Sequence, residues 1–135
     1  MKASALYTLL LSALLASSCQ TDDDTKPQVS GVAGYWTVTK LECYCPANAP
    51  VPNEALELDA AGNATRYLNG QVVQTGTYEL STGAAACETN APVITFSWTS
   101  LTPGATYTLS GDVLVIDYGL CFDAPRYTYS RTNSR

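Results

Sequence analysis

The chain has no histidine among its 135 residues. That absence removes the Ser-His and Cys-His pairs on which much nucleophilic catalysis rests. It also weakens a zinc reading of the cysteines, whose spacing lacks the paired C-x-x-C units of a zinc or thiol-redox centre. Basic residues are scarce: 7 Lys and Arg stand against 12 Asp and Glu. From Cys19 onward the count is six against twelve, a net charge of −6. That sign argues against nucleic acid and anionic membrane surfaces as partners, since both need a basic footprint. No apolar run reaches the roughly 20 residues of a membrane-spanning helix. A phosphate-cradling glycine loop and a G-x-S-x-G elbow are also missing. Carboxylates remain, in Glu57 with Asp59 and in Asp117, but solvated strand faces account for them more simply. A non-enzyme is expected, with no catalytic residue, no cofactor and no metal.

What is present begins with an export signal. Lys2, an apolar stretch from Ala5 to Ala16 and the small residues Ser17 and Ser18 follow its three-part layout. Ordinary cleavage after Ser18 would leave Cys19 unpaired at an exposed end in an oxidising compartment. The stretch Leu15-Ala16-Ser17-Ser18-Cys19 resembles a bacterial lipobox. The resemblance implies that residues 1–18 are a lipoprotein signal peptide and that Cys19, carrying palmitate-type acyl chains, becomes the first mature residue. The chain would then be lipid-anchored at a bacterial outer membrane. Asp22-Asp23-Asp24 is similar to the acidic run behind the lipidated cysteine of surface-exposed lipoproteins in some Gram-negative bacteria. As an address it implies the cell surface; as a plain solvated linker it leaves the periplasmic face open. Residues 19–32 read as an acidic flexible tether, in which a dozen residues span on the order of 20 Å.

The remainder, residues 33–132, is the right size for one domain. Thr, Tyr, Val and Gly are frequent, Lys and Glu sparse, and no window keeps a 3.6-residue apolar period. The fold class is therefore all-β. Eight runs are separated by turn residues. The first is Tyr35 to Cys45 and the second Ala55 to Asp59, with Leu56 and Leu58 on one face. The third follows the Ala60–Asn63 turn. Asn69-Gly70 is the strongest hairpin signal, since both residues tolerate the positive φ of a type I′ turn. The fourth runs from Gln71 to Leu80, ahead of a loop rich in Ala and Gly. The fifth carries Ile94, Phe96 and Trp98 on one face, and the sixth carries Tyr107 and Leu109. The seventh is Val113 to Tyr118, and Tyr127, Tyr129 and Arg131 alternate along the eighth. Short sequential connections predict an antiparallel up-and-down barrel whose closure removes exposed edges. A two-sheet β-sandwich is the alternative.

Gly34-Tyr35-Trp36 resembles the Gly-x-Trp motif of lipocalins, and Arg131 sits where that family's arginine packs over the tryptophan. "LELDAAGNATRY", "GTYEL" and "GDVLVIDY" also look like the strands of bacterial lipocalin-like lipoproteins. The resemblance implies a lipocalin-like barrel closed by Gly34, Trp36 and Arg131, with a shallower cup than is typical of the family.

Four cysteines fall within the domain: Cys43, Cys45, Cys87 and Cys121. Cys43 and Cys45, two apart on an extended strand, are too far apart for an easy mutual bond. Each is therefore expected to bond one of Cys87 and Cys121. A strand count places Cys121 at the exit of the first strand but Cys87 at the opposite end.

The aromatic set of Trp36, Tyr67, Tyr78, Phe96, Trp98, Tyr107, Tyr118, Tyr127 and Tyr129 either fills the core of a small barrel or lines a cup. Within it, Tyr78, Phe96, Trp98 and Tyr107 are the candidate ligand-binding residues. The expected function is an envelope-tethered, monomeric binding protein for a small apolar or amphipathic ligand. A protein-binding module such as a protease inhibitor is one alternative, and a structural envelope component is another. Cys19 carries the first prediction: an intact-mass spectrum of the protein from its native envelope shows acyl chains on that residue. A bare thiol there contradicts the anchor.

Overall fold

A computed structural model describes residues 31–100 and 104–133. The expected signal peptide, Cys19 and nearly all of the expected tether lie outside the described residues. Eight strands follow in chain order: β1 Gly34–Glu42, β2 Glu54–Leu58, β3 Asn63–Leu68, β4 Gln71–Ala85, β5 Glu88–Phe96, β6 Ala105–Ser110, β7 Val113–Asp117 and β8 Arg126–Thr132. A single 3-10 turn, Leu120–Phe122, lies between β7 and β8. Each strand pairs antiparallel with the next and β8 pairs back to β1, so the sheet is a closed barrel rather than a sandwich.

Period-two alternation explains the core. Leu56 and Leu58 on β2, Leu114 and Ile116 on β7, and Ile94 and Phe96 on β5 are all buried and face one another inside the barrel. The exposed Glu57, between two buried leucines, accepts a 2.6 Å hydrogen bond from the Tyr67 hydroxyl. The turns follow their residue chemistry. Asn69 and Gly70 have φ of 52° and 76°, as a type I′ hairpin needs. Asp59 fastens the β2–β3 turn by accepting from the Ala61 and Asn63 backbone amides at 2.9 and 2.8 Å. The Asn63 side-chain amide donates a further 2.6 Å bond, and this bond first, then the backbone amides, hold the Asp59 carboxyl below its usual range. Glu57 and Asp59 thus serve fold and turn.

The β1–β8 seam carries the closing contact. Trp36 is fully buried opposite Arg131 in register, and the guanidinium lies 4.2 Å from the ring centroid. Arg131 also donates 2.6 Å hydrogen bonds to the carbonyls of Gly31 and Ala33, and the Trp36 indole N–H donates to the Val32 carbonyl at 2.8 Å. These bonds draw residues 31–33 across the barrel end beside Gly34, where Val32 is buried as a plug. Gly31 and Val32, expected in the tether, therefore belong to the barrel. Gly34 has φ of 151°, and a Cβ there would run into the Arg131 guanidinium.

Two boundaries differ from expectation. β1 ends at Glu42, and the chain bends through residues 43–45. The bend brings the Cα atoms of Cys43 and Cys45 to 5.2 Å, within disulfide range, and the two cysteines pair with each other. The expected cross-pairing assumed extended chain at that point. The anticipated loop after Leu80 is instead a long hairpin in which β4 runs to Ala85 and β5 starts at Glu88. Its Ser, Thr, Gly and Ala residues read as loop, but backbone pairing such as Ser81 with Val93 and Gly83 with Ala91 holds them in a ladder.

β5 pairs with β6 at Val93 and Ile94, so residues before Val93 form a two-stranded ribbon with an irregularity at Gly83–Ala85. Pro92 sits just past that last pairing, an edge position that tolerates its missing N–H. The ribbon folds so that its tip lies on the β7–β8 connection, where Cys87 pairs with Cys121 at a Cα separation of 6.3 Å. The eight-strand count was sound; the folded ribbon brings Cys87 to Cys121. The Gly34 geometry carries the second prediction. Gly34→Ala lowers stability by about 1–3 kcal/mol in urea unfolding, and an unchanged midpoint contradicts the close approach of Arg131.

Candidate functional site

The barrel end opposite Val32 is open. β2 runs from Leu58, paired with Gly34 beside the plug, to Glu54 at this open end. A cavity of about 390 Å³ enters the barrel here. Its walls differ in chemistry.

One wall is aromatic. Phe96 and Trp98 stack with ring centroids 4.9 Å apart and planes 7° from parallel. Trp98 lies just beyond β5 and is held close to β4 because Gly76 has no side chain. A Cβ at Gly76 would meet the Ser97 hydroxyl and stand 3.1 Å from the Trp98 ring. Three strands further round, Tyr118, Tyr127 and Tyr129 line the opposite side. Tyr118 and Tyr127 meet edge to face at 6.1 Å.

The second wall is polar. Alternation on β2 turns Glu54 inward with Leu56 and Leu58, and the Glu54 side chain is almost fully buried. Arg66 on β3 is also directed inward, and donates to Glu54 Oε2 at 2.6 Å and to Gln74 Oε1 at 3.0 Å. The Tyr129 hydroxyl donates to Glu54 Oε1 at 3.4 Å. Burial beside the Glu54 carboxylate keeps the tyrosines protonated. Tyr118, Tyr127 and Tyr129 are each raised above the ordinary phenol value, with burial the largest cause and the Glu54 charge adding to it. The bond to Glu54 likewise raises Arg66, ahead of the opposing effect of burial.

The loops around this end are covalently braced. Cys43 and Cys45 close a tight ring just past β1, and Cys121 ties the β7–β8 connection to the β4–β5 ribbon. Asp117 orders that connection by accepting from the Gly119 and Leu120 amides at 2.7 and 2.8 Å, and it pairs with Arg126 at 2.6 Å. Asp117 therefore holds a loop. Tyr44 inside the small ring is 89% exposed, and Phe122 beside Cys121 is 74% exposed.

Of the four candidate ligand residues, Phe96 and Trp98 line the cavity. Tyr78 and Tyr107 do not. Tyr78 is buried in the core, where its hydroxyl donates to the Asp59 carbonyl at 2.8 Å, and Tyr107 packs against the core from β6. Glu54, Arg66 and Gln74 were not anticipated. Extending the Leu56–Leu58 alternation one step back reaches Glu54, so a carboxylate at an inward position was the available signal.

The tyrosines carry the third prediction. Their folded-state values are raised above the unfolded value of 10, so their contribution to stability is complete below pH 10 and is lost as pH rises beyond it. Urea midpoints therefore fall above pH 10, and part of the phenolate absorbance appears only on unfolding. Simple titration of every tyrosine near 10 in the folded protein contradicts the packing. No protein-family model, curated protein or solved structure matches this chain.

Proposed function

We propose that this protein is a non-enzymatic, monomeric binding protein, tethered to a bacterial outer membrane through Cys19, that takes a small apolar or amphipathic ligand into the open end of its barrel. The observation that carries this reading is the 390 Å³ cavity with aromatic and polar walls. Its volume falls in the range of small-molecule sites, and its lining divides between aromatic rings and polar groups, which suits a ligand with both characters. The plug at Val32 supports it further, because a barrel sealed at one end and open at the other is a cup. The lipocalin-like reading draws support from the contact of Gly34, Trp36 and Arg131. The export signal and the lipobox-like stretch support the envelope location.

A second reading, docking of a partner protein, is favoured by the rim. Tyr44 and Phe122 are large, exposed and held on disulfide-braced loops, and such preorganised aromatics suit a protein interface. A purely structural envelope component requires neither feature.

Trp98→Ala separates these readings. With the uncharged fluorescent probe N-phenyl-1-naphthylamine, the variant binds about tenfold more weakly, as loss of roughly 1.4 kcal/mol of aromatic contact requires, while its melting temperature stays within a few degrees. Gross unfolding makes Trp98 a core residue, and unchanged affinity moves the binding site away from the cavity.

A further inference from the structure

The cavity walls say more than that something small enters. We infer that the ligand is a flat, uncharged ring system carrying a carbonyl or comparable hydrogen-bond acceptor at one edge. This rests on the binding-protein reading and narrows it to a chemical class.

Charge sets the first limit. Glu54 and Arg66 are the two charged residues that line the cavity, and they are paired at 2.6 Å. Their formal charges cancel. Arg66 is further engaged by Gln74, and the second Glu54 oxygen by Tyr129. A ligand carboxylate or phosphate would have to lie beside the buried Glu54 and share an arginine that is already committed. An ammonium would meet Arg66 in the same way. Either ion would leave water without a free countercharge to receive it, which is costly in a recess of this kind.

Unused donors set the second limit. Tyr118 and Tyr127 line the cavity, and their hydroxyls have no hydrogen-bond partner among the described residues. Every fully buried side-chain polar atom among those residues is satisfied. The two hydroxyls are therefore not fully enclosed, and both residues line the cavity. A ligand acceptor would satisfy them, whereas a plain hydrocarbon would displace water and leave them unmatched.

Shape sets the third. Phe96 and Trp98 stack face to face, 7° from parallel, so the buried Phe96 backs the Trp98 indole and a planar ligand can extend the stack only at its outer face. A rigid ring system lies against that face with little lost rotational freedom, whereas a flexible acyl chain must be ordered along its length.

Calorimetric titration of the full chain with four probes tests this: 9-fluorenone, fluorene, 9-fluorenone-4-carboxylate and dodecanoate. Fluorenone is expected to bind about tenfold more tightly than fluorene, from one or two net hydrogen bonds, and at least as far ahead of the two carboxylates. In the Tyr118→Phe, Tyr127→Phe double variant the margin over fluorene disappears while fluorene affinity holds. The two single variants serve the same purpose if the double variant melts early. Tightest binding by either carboxylate, or no advantage of fluorenone over fluorene, overturns the ligand class and leaves the binding-protein reading standing. Failure of all four probes overturns both.

Discussion

The Arg131 guanidinium lying over the Trp36 indole is the contact on which the rest of the structure depends. A closed barrel of antiparallel strands has one seam that sequence-adjacent hairpins cannot make, that between the first and last strands. Here the seam is fastened by an arginine that stacks on a fully buried tryptophan and donates two 2.6 Å bonds to carbonyls of the preceding segment. One side chain thus closes the wall and draws Val32 into the base. Stacking is worth about 0.5–2 kcal/mol. The two bonds to carbonyls add to it, because a planar fork with several donors holds both in fixed geometry. Gly34 is the backbone condition for this arrangement, since a side chain there would occupy the space of the guanidinium.

Sealing one end leaves the other free to differ. The plugged end buries Trp36, Leu58 and Val32 in an apolar core, whereas the open end places a carboxylate, a guanidinium and an amide on one inner wall. Such a pair, turned inward in a small barrel, would be costly if one partner were missing. The surrounding loops keep the arrangement rigid: two disulfides and the Asp117 turn brace connections at this end. Bracing of this kind would lower the ordering cost of any binding at this end, since the walls would already be in place.

Much of the fold was legible because its signals are local. Leu56 and Leu58, Ile94 and Phe96, and Leu114 and Ile116 each read as one face of a strand, and Asn69-Gly70 announced its turn. The seam was legible through the resemblance of Gly34, Trp36 and Arg131 to a known pattern. Less was legible where backbone pairing outweighed composition. Residues 81–92 have the small and polar character of a loop yet form the β4–β5 ribbon, and that ribbon is what carries Cys87 to Cys121. Cys43 and Cys45 were judged by extended-chain geometry, but the chain bends there. The site was half legible: Phe96 and Trp98 share a visible face, while Tyr78 and Tyr107 have the same composition but lie elsewhere in the barrel. Glu54 and Arg66 meet only after β2 and β3 pair, which no single stretch of sequence displays.

The central claim is that the open end of this barrel holds a small ligand. Native mass spectrometry of the protein purified from its source cells, compared with a denatured spectrum of the same sample, tests it most directly. The account predicts a discrete extra mass, beyond any covalent lipid, that is lost on denaturation. A native mass equal to that of the covalent chain with its two disulfides would contradict it and turn attention to the exposed Tyr44 and Phe122 rim.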